Sequence, residues 1–377
     1  MAIARDAGAG GGRTVSLLHP LLLRVTGSDY LAPALRVAGR GLVSIITLHR
    51  FTEPELGVVG TDPATLRDQL AYLRRHRYRL LSLLDVVRLL EDDGGDWTTP
   101  AVVFTVDDGY AGFASRGAPI FAEFDCPVTL FVTTGFLDGR LWLWWDRLTY
   151  VFRHTQRHSL VLGAGSERRP YHWATSSARA RVQDEVIRYL EWVDAPEREA
   201  AITDLSQQLD VEVPATPPPA FAPISWEDVR RTARLGATFG PHTVTHRILS
   251  QAPDDACTWE IRESHRRLRQ ETDACVPVFC YPNGEARAFG RRELEMVQRE
   301  GLKAGLTTLP GYITTPSRRD RTPLGRFALP RLPWPDDRPH FVHTVAGLMR
   351  FRTKLRRSPW GEPSPPERAG GLIPSVG

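Results

Sequence analysis

The sequence predicts an α/β fold in which a parallel sheet closes, fully or partly, into a barrel. Short apolar runs alternate with amphipathic stretches from Gly41 onward, and seven or eight such units follow one another. Strands that alternate with helices favour parallel pairing through right-handed crossovers. That number of units favours a barrel over an open sheet.

The predicted strands are apolar runs bounded by turn residues. The clear ones are residues 42–47, 101–106, 128–132, 237–239, 276–281 and 304–307, and the weaker ones are 79–82 and 327–329. Amphipathic helices lie between them, for example at 63–75 and 83–91, where apolar residues recur every three or four positions. In a parallel barrel the chemistry lies at the C-terminal ends of the strands, so the residues after each strand are the candidates for a site.

One long segment interrupts the alternation. Residues 138–222 contain no clear strand, and they predict a mostly helical insertion with a helix-like stretch around 178–192. Ser225, followed three residues later by Asp228, predicts the start of the next helix. The barrel domain is therefore expected at 41–335.

Two terminal segments flank this domain. Residues 1–40 predict a partly disordered N-terminal extension, and 336–377 predict a basic helix, at 340–355, followed by a Pro-rich tail. The basic helix is suited to peripheral contact with an anionic inner membrane face, and a solvated helix face is the alternative.

Composition sets limits on the class of protein. The 42% hydrophobic and 24% charged content is ordinary for a globular protein, and the net charge of +4 comes from scattered arginines, so we expect no nucleic-acid partner. The four cysteines form no CxxC pair, which favours free thiols in a reducing compartment. The apolar stretch 15–23 is interrupted and lacks a good cleavage site, so we expect a cytoplasmic protein rather than a secreted one. The sequence carries no signal for the oligomeric state.

Two adjacent carboxylates, Asp107 and Asp108, directly follow the strand 101–106 and precede Gly109. Charges placed beside a core are costly unless something neutralises them, and a divalent cation would do so. The alternative is an ordinary turn at the end of a strand, where Asp and Gly are common.

Two histidines, His242 and His246, follow the strand 237–239. If this segment is helical, the two rings lie on one face and can chelate one ion. With one carboxylate they would form a set of three protein ligands that leaves positions open for water and substrate. The alternative is a pair of surface histidines at the start of a helix.

The segment 279–284 is a strand that runs into a tight turn, Pro282-Asn283-Gly284. Such a turn can direct a backbone N–H toward an oxyanion. The alternative is a simple junction between a strand and a turn.

Together these segments resemble the polysaccharide deacetylases of carbohydrate esterase family four, which share the NodB homology domain. The resemblance runs from about Leu48 to Arg331 and is interrupted by the insertion. Residues 105–109 match the family's Asp-Asp motif and 242–246 its His-x-x-x-His motif. Residues 48–50 and 279–284 resemble the subset that acts on exopolysaccharides. The implied fold is a distorted (β/α) barrel of about seven parallel strands, with the insertion added.

The resemblance also implies roles for individual residues. Asp107 would be the general base, the backbone N–H of Asn283 would help to form the oxyanion hole, and Asp108, His242 and His246 would bind a divalent metal. The implied reaction removes N-acetyl groups from a polysaccharide or amino-sugar glycan, with water activated by the metal. The ligand set favours Zn²⁺, although such sites also accept Co²⁺, Ni²⁺ or Mn²⁺.

Four further residues are candidates for substrate contacts: His49, Tyr281, Trp144 and Trp145. A structural role is the alternative for His49. For the two tryptophans, the alternative is that they anchor the insertion on the barrel.

The sequence departs from the family pattern at two points. Cys280 lies near the position of an arginine that usually orients the base, and the late Leu-x-x-His motif, which supplies the general acid, has no match. His340 and His343 lie near the expected region in a different context. A noncatalytic carbohydrate-binding or scaffolding protein is therefore one alternative, and an O-acetyl esterase or small-amide hydrolase is another.

Overall fold

The computed structural model describes residues 29–91, 97–163, 168–314 and 325–350. The strands are β1 Leu42–Leu48, β2 Arg79–Leu80, β3 Ala101–Val106, β4 Val128–Val132, β5 Ser159–Leu162, β6 Arg169–His172, β7 Ala237–Pro241, β8 Val278–Cys280, β9 Ala304–Pro310, β10 Ile313–Thr314 and β11 Leu329–Pro333. The helices are α1 Ala32–Ala38, α2 Pro63–Arg75, α3 Leu83–Glu91, α4 Ala118–Glu123, α5 Thr134–Leu137, α6 Trp144–His154, α7 Ser176–Leu190, α8 Ala195–Gln208, α9 Trp226–Ala233, α10 Asp254–Glu271, α11 Arg291–Arg299 and α12 Arg338–Val345.

Seven parallel strands form a nearly closed barrel in the order β7-β4-β3-β1-β11-β9-β8. The two end strands meet at a seam where Phe239 N–H donates to Ala274 O over 2.9 Å and Val276 N–H donates to Phe239 O over 2.7 Å. The short strands β2 and β10 pair with β3 and β1 outside this path. The predicted α/β barrel is thus confirmed.

Alternation along the strands separates an inner and an outer face. On β3, Ala101 and Val103 pack in one apolar cluster, whereas Val102, Phe104 and Val106 pack in the cluster that includes α2 and α4. Side chains on a strand alternate between faces, so Thr105 and Asp107 continue the face of Val103. The first aspartate therefore stands at the C-terminal end of the barrel interior.

Capping side chains start several of the outer helices, and one of these caps was predicted from the sequence. The Asp62 carboxylate accepts a hydrogen bond from Thr65 N–H at the start of α2, where Pro63 occupies the first helical position. The Ser225 hydroxyl accepts from Asp228 N–H and starts α9 as predicted.

The insertion has an apolar core of its own, formed by α6, α7, α8 and their neighbours. The prediction of a mostly helical segment is correct for these helices. The predicted absence of strands was wrong, because β5 and β6 form an antiparallel hairpin. Its register pairs Leu160 with Tyr171, and only one face of this short hairpin is buried, which gives a weak sequence signal.

Other boundaries differ from prediction. The last barrel strand begins at Leu329 rather than 327, since Gly325–Ala328 form a 3₁₀ turn. The C-terminal helix ends at Val345, and Gly347 follows with a φ of +75°. The predicted helix at 340–355 is therefore interrupted by a turn at 346–348. Its part beyond residue 350, the Pro-rich tail and most of the N-terminal extension lie outside the described residues, so membrane contact by the basic segment stays a prediction.

The four cysteines are free thiols, as expected. Within the described ranges, no helix has the length and apolar character needed to cross a membrane.

Candidate metal centre and active site

The candidate residues converge at the C-terminal ends of neighbouring barrel strands. His49 follows β1, Asp107 and Asp108 follow β3, and His242 follows β7. Hydrogen bonds continue the sheet past the strand ends: Asp107 N–H donates to Leu48 O and His242 N–H donates to Val132 O, each over 3.0 Å. The parallel register therefore brings together residues that are far apart in the sequence.

Asp108, His242 and His246 bring three potential ligand atoms to one point. Asp108 Oδ1 lies 3.7 Å from His242 Nε2 and 3.3 Å from His246 Nε2. Two ligand atoms at about 2.1 Å from a tetrahedral ion lie about 3.4 Å apart, so these separations suit one divalent cation. The structure thus brings together the three residues for which the sequence predicted a shared metal.

The backbone around these ligands adopts a conformation that is rare for residues with side chains. Asp108, Thr243 and His246 have φ values of +76°, +64° and +58°. Left-handed conformations of this kind are uncommon and persist where the surrounding structure enforces them. The helical conformation considered for 242–246 is wrong. This segment is a loop that directly follows the last residue of β7.

Contacts from two other elements hold this loop in place. The backbone N–H groups of Thr134 and Gly135, at the start of α5, donate to Thr243 O and Val244 O. On the other side, the buried Glu260 carboxylate of α10 accepts from Val244 N–H over 2.7 Å, from Thr245 N–H over 3.0 Å and from the Thr245 hydroxyl. The loop carrying both imidazoles is therefore fixed before any ligand binds.

The orientation of His242 suits metal binding. Its Nδ1 lies 2.8 Å from Cys280 O, which favours the proton on Nδ1 and leaves the lone pair of Nε2, on the side of Asp108, free to bind a metal. Burial lowers the pKa of His242 to about 4, and the neighbouring His246 contributes to the decrease. A neutral imidazole is the form that binds a metal.

A second group of donors, Asp107, His242 and Cys280, also lies close together. It is a poorer metal site for two reasons. Burial raises the pKa of the Cys280 thiol well above its usual value, so the thiolate is disfavoured. Both oxygens of Asp107 are already engaged by Arg331, which leaves Asp108, His242 and His246 as the better set.

Arg331 forms a bidentate ion pair with Asp107 inside the barrel. Its Nη1 and Nη2 donate to the two carboxylate oxygens over 2.8 and 2.7 Å, and the arginine side chain is 1% exposed. Burial raises the pKa of Asp107, but the charge and hydrogen bonds of Arg331 outweigh this and hold the pKa below its ordinary value. Asp107 therefore stays ionised and rigidly oriented.

Arg331 supplies the arginine that is absent near Cys280, which was the first departure from the family pattern. Cys280 lies against Asp107, with Sγ 3.7 Å from both oxygens, but the cation reaches the carboxylate from β11 instead. This role of Arg331 was not predicted from the sequence. The sequence feature that could have indicated it is the single arginine in the apolar strand Leu329–Pro333, because a buried arginine requires an anionic partner.

His49 lies beside the same carboxylate. Its Nε2 is 3.9 Å from Asp107 Oδ2, and its side chain is partly exposed. Burial lowers the pKa of His49, while the charges of Asp108 and Asp107 oppose that decrease. By contrast, His340 Nδ1 is hydrogen-bonded to Asp337 at the start of α12, which packs on α2.

The turn after β8 contains Asn283, whose φ is +65°. Its carbonyl accepts a hydrogen bond from the Thr308 hydroxyl over 2.7 Å, and Gly284 O accepts from Thr308 N–H. The turn is thus fixed against β9. Tyr281 is different, because its side chain is 1% exposed and packs with Phe279 and Phe289. That burial contradicts a substrate contact for Tyr281.

The insertion contacts the candidate metal centre through Trp145. Its ring packs against His246 with centroids 4.6 Å apart, and its Nε1 donates to the Tyr110 hydroxyl over 3.1 Å. That hydroxyl donates to the buried Asp146 over 2.8 Å. Trp144 packs instead in the insertion core, as the anchoring alternative predicted.

The chain is similar to known proteins in both sequence and structure. The sequence model of a family described as polysaccharide deacetylase matches residues 94–304, more than half of the chain. No curated protein matches it.

Two solved structures share the fold. One is the Streptococcus pyogenes deacetylase PplD in complex with acetate, at 18% identity and a TM-score of 0.51, covering 81% of this chain and 99% of that one. The other is IcaB from Ammonifex degensii, at 14% identity and a TM-score of 0.51, covering 81% and 97%.

Proposed function

Since the chain belongs to the polysaccharide deacetylase family, we propose that it removes N-acetyl groups from a glycan in a reaction that depends on a divalent metal, with Zn²⁺ as the preferred ion. The observation that carries the proposal is the convergence of Asp108, His242 and His246 beside two proton-transfer groups, Asp107 and His49. A cation held by the three ligands would polarise the amide carbonyl and lower the pKa of water.

In this proposal, Asp107 and His49 carry out separate proton transfers. Asp107, ionised and oriented by Arg331, accepts a proton from the attacking water. Burial lowers the pKa of His49, so this imidazole is neutral beforehand and can take that proton from Asp107, whose Oδ2 lies 3.9 Å from His49 Nε2, and pass it to the departing nitrogen. The backbone N–H of Asn283 stabilises the oxyanion. In this proposal Trp145, which packs on His246, borders the bound sugar.

The test combines metal analysis with acetate release from N-acetylated chitooligosaccharides. We expect His246→Ala to lose both metal and activity. Asp107→Asn and His49→Gln should keep the metal but lower kcat by about 10²-fold or more, because each removes a proton-transfer group. Full activity of Asp107→Asn would contradict the proposal.

The alternatives predict other outcomes in the same assay. A noncatalytic carbohydrate-binding protein would bind the oligosaccharide without releasing acetate. The ion pair between Arg331 and Asp107 speaks against that alternative, because it supplies from β11 the orienting arginine that is missing near Cys280. A parallel panel of O-acetylated sugars and small amides separates N-deacetylation from the other hydrolase activities.

A further inference from the structure

A cavity of about 510 Å³ lies between the insertion and the loop that carries the two histidines. Val244, Thr245 and Arg247 line it from the loop, while His242 and His246 in the same segment face Asp108. The cavity and the proposed metal centre therefore adjoin the same loop. A glycan bound at the centre could place a neighbouring sugar in the cavity.

Two arginines in the cavity lack an acidic partner. Neither Arg198 nor Arg247 has a carboxylate within 4 Å in the described parts of the chain, and Arg247 has no hydrogen bond there either. Arg198 donates only to Val193 O, over 3.3 Å, and its Nε is buried without a partner. Burial lowers the pKa of Arg198; the charges of Glu199 and Asp194 oppose this decrease, and those of Arg147 and Arg247 add to it.

The acidic residues of the cavity are engaged elsewhere. Glu199 accepts from Arg147 Nη2 over 2.5 Å at both oxygens. Glu260 accepts the two backbone N–H groups and the hydroxyl of the histidine loop. The third arginine of the cavity, Arg140, pairs with Asp138 over 2.8 Å. Neither carboxylate of the cavity is thus paired with Arg198 or Arg247.

The cavity also presents aromatic surface. Trp259 of α10 lines it and is 48% exposed, which is unusual for a large apolar side chain. Trp144 lines the opposite side beneath Arg198, whose guanidinium lies 5.0 Å from the indole centroid. An indole presents a flat apolar face and guanidinium groups bind planar anions, so the two together match a sugar that carries a negative charge.

We propose that this cavity is a substrate subsite for an anionic sugar, in which Arg198 and Arg247 bind a carboxylate or phosphate substituent on a residue adjoining the N-acetylated one. This assignment rests on the proposed deacetylase function and extends it to a class of substrate. Trp259 packs against the sugar ring. The enzyme therefore prefers acidic over neutral N-acetylated glycans.

Turnover tests the preference. Acetate release is compared between N-acetylchitotetraose, an oligosaccharide of alternating N-acetylglucosamine and glucuronic acid, and a phosphorylated N-acetylglucosamine oligomer. We expect Arg247→Gln and Arg198→Gln to reduce the acidic-to-neutral ratio of kcat/KM by roughly tenfold, because each removes a charge-assisted contact. Arg262→Gln, an exposed arginine of α10 paired with Glu300, is the matched control and should leave the ratio unchanged.

The arms of the experiment also distinguish the two anions, since preference for one acidic oligomer identifies its substituent as the ligand. An equal ratio in the wild-type protein and in both glutamine variants would overturn the subsite.

A binding measurement separates this proposal from the deacetylase proposal. Calorimetric titration of the Asp107→Asn protein with the glucuronate and phosphate oligomers does not require turnover. We expect this binding to weaken as the salt concentration rises. It should also be weaker when Arg247→Gln is combined with Asp107→Asn in one protein. Absence of acetate release with binding intact would contradict the deacetylase proposal alone, and absence of binding to both acidic oligomers would contradict the subsite.

Discussion

At the scale of single residues, the ion pair between Asp107 and Arg331 determines the chemistry available at the barrel mouth. A buried carboxylate alone would hold its proton, because burial disfavours the charged form. The bidentate guanidinium reverses that preference and also fixes the plane of the carboxylate.

Arg331→Met tests this pair. The pKa of Asp107 should rise because burial is no longer opposed, so the acidic limb of the kcat/KM pH profile should move upward by about one pH unit or more. Removing one partner of a buried ion pair should also cost about 3–5 kcal/mol of unfolding free energy. Arg331→Lys, which keeps the charge, should show a smaller pH shift; equal profiles for wild type and Arg331→Met would exclude the role.

The residues of the candidate site were predictable to different degrees. Asp108, His242 and His246 could be found because adjacent carboxylates and spaced imidazoles are costly to place after apolar strands unless they share a ligand. Arg331 and Asp146 could not be assigned, since a single charged residue shows no partner in the sequence. Tyr281 was misassigned because its motif gave its position but not the direction of its side chain.

At the scale of elements, α10 holds the histidine loop through one carboxylate. Glu260 is buried, and its charge is compensated by two N–H groups and a hydroxyl rather than by a cation. This arrangement lets the helix position the candidate metal ligands without supplying a ligand itself.

Glu260→Gln should weaken metal binding by roughly 10–100-fold, because a glutamine cannot accept all of these hydrogen bonds and the loop loses its anchor. Competition with a chelator of known affinity measures the change. Glu263→Gln, three residues later and paired with Arg266, is the matched control. If both variants bind metal alike, the loop does not need this anchor.

The insertion helix α6 carries a buried carboxyl group toward the barrel. Burial raises the pKa of Asp146 to about 7, despite Arg50 and the hydrogen bond from Tyr110. The folded protein therefore binds a proton that the unfolded chain releases above pH 4, so this group lowers stability progressively as pH rises from about 4 to 7.

Asp146→Asn should remove that dependence. Urea unfolding gives the free energy of unfolding of both proteins at pH 5 and pH 8. The wild type should lose stability relative to the variant between these pH values by up to a few kcal/mol, since each pKa unit corresponds to about 1.4 kcal/mol. Asp210→Asn, an exposed aspartate of the same insertion, serves as control and should parallel the wild type. Parallel curves for Asp146→Asn and wild type would contradict the assigned pKa.

At the scale of the whole molecule, the barrel depends on close approach at the seam between β7 and β8. A Cβ on Gly240 would lie 2.3 Å from the Phe131 ring and 2.9 Å from Val278 O. The backbone therefore approaches its neighbours here more closely than any side chain would allow.

Gly240→Ala should lower the free energy of unfolding by about 1–3 kcal/mol and weaken metal binding, because the strand that carries His242 must shift. Thermal denaturation and metal titration measure both effects. Gly290→Ala, where the nearest atom would be 3.5 Å away, is the control. A stable Gly240→Ala protein with normal metal affinity would show that the seam is not tightly packed.

The barrel was predictable because alternation of strands and helices and right-handed crossovers leave few other arrangements. The strand order was not predictable, because β11 lies between β1 and β9 through long-range pairing that no local sequence pattern encodes. The hairpin β5–β6 escaped detection because a short strand with one buried face leaves little periodicity.

The placement of β11 has a consequence for how the protein is made. A ribosome synthesises Asp107 and both histidines long before it reaches Arg331, which lies 224 positions after the aspartate it neutralises. A nascent chain halted before Leu329 would retain every recognisable motif, yet hold an unpaired buried anion and two unsatisfied strand edges. The proposed active site can therefore be completed only after the last barrel strand has been translated.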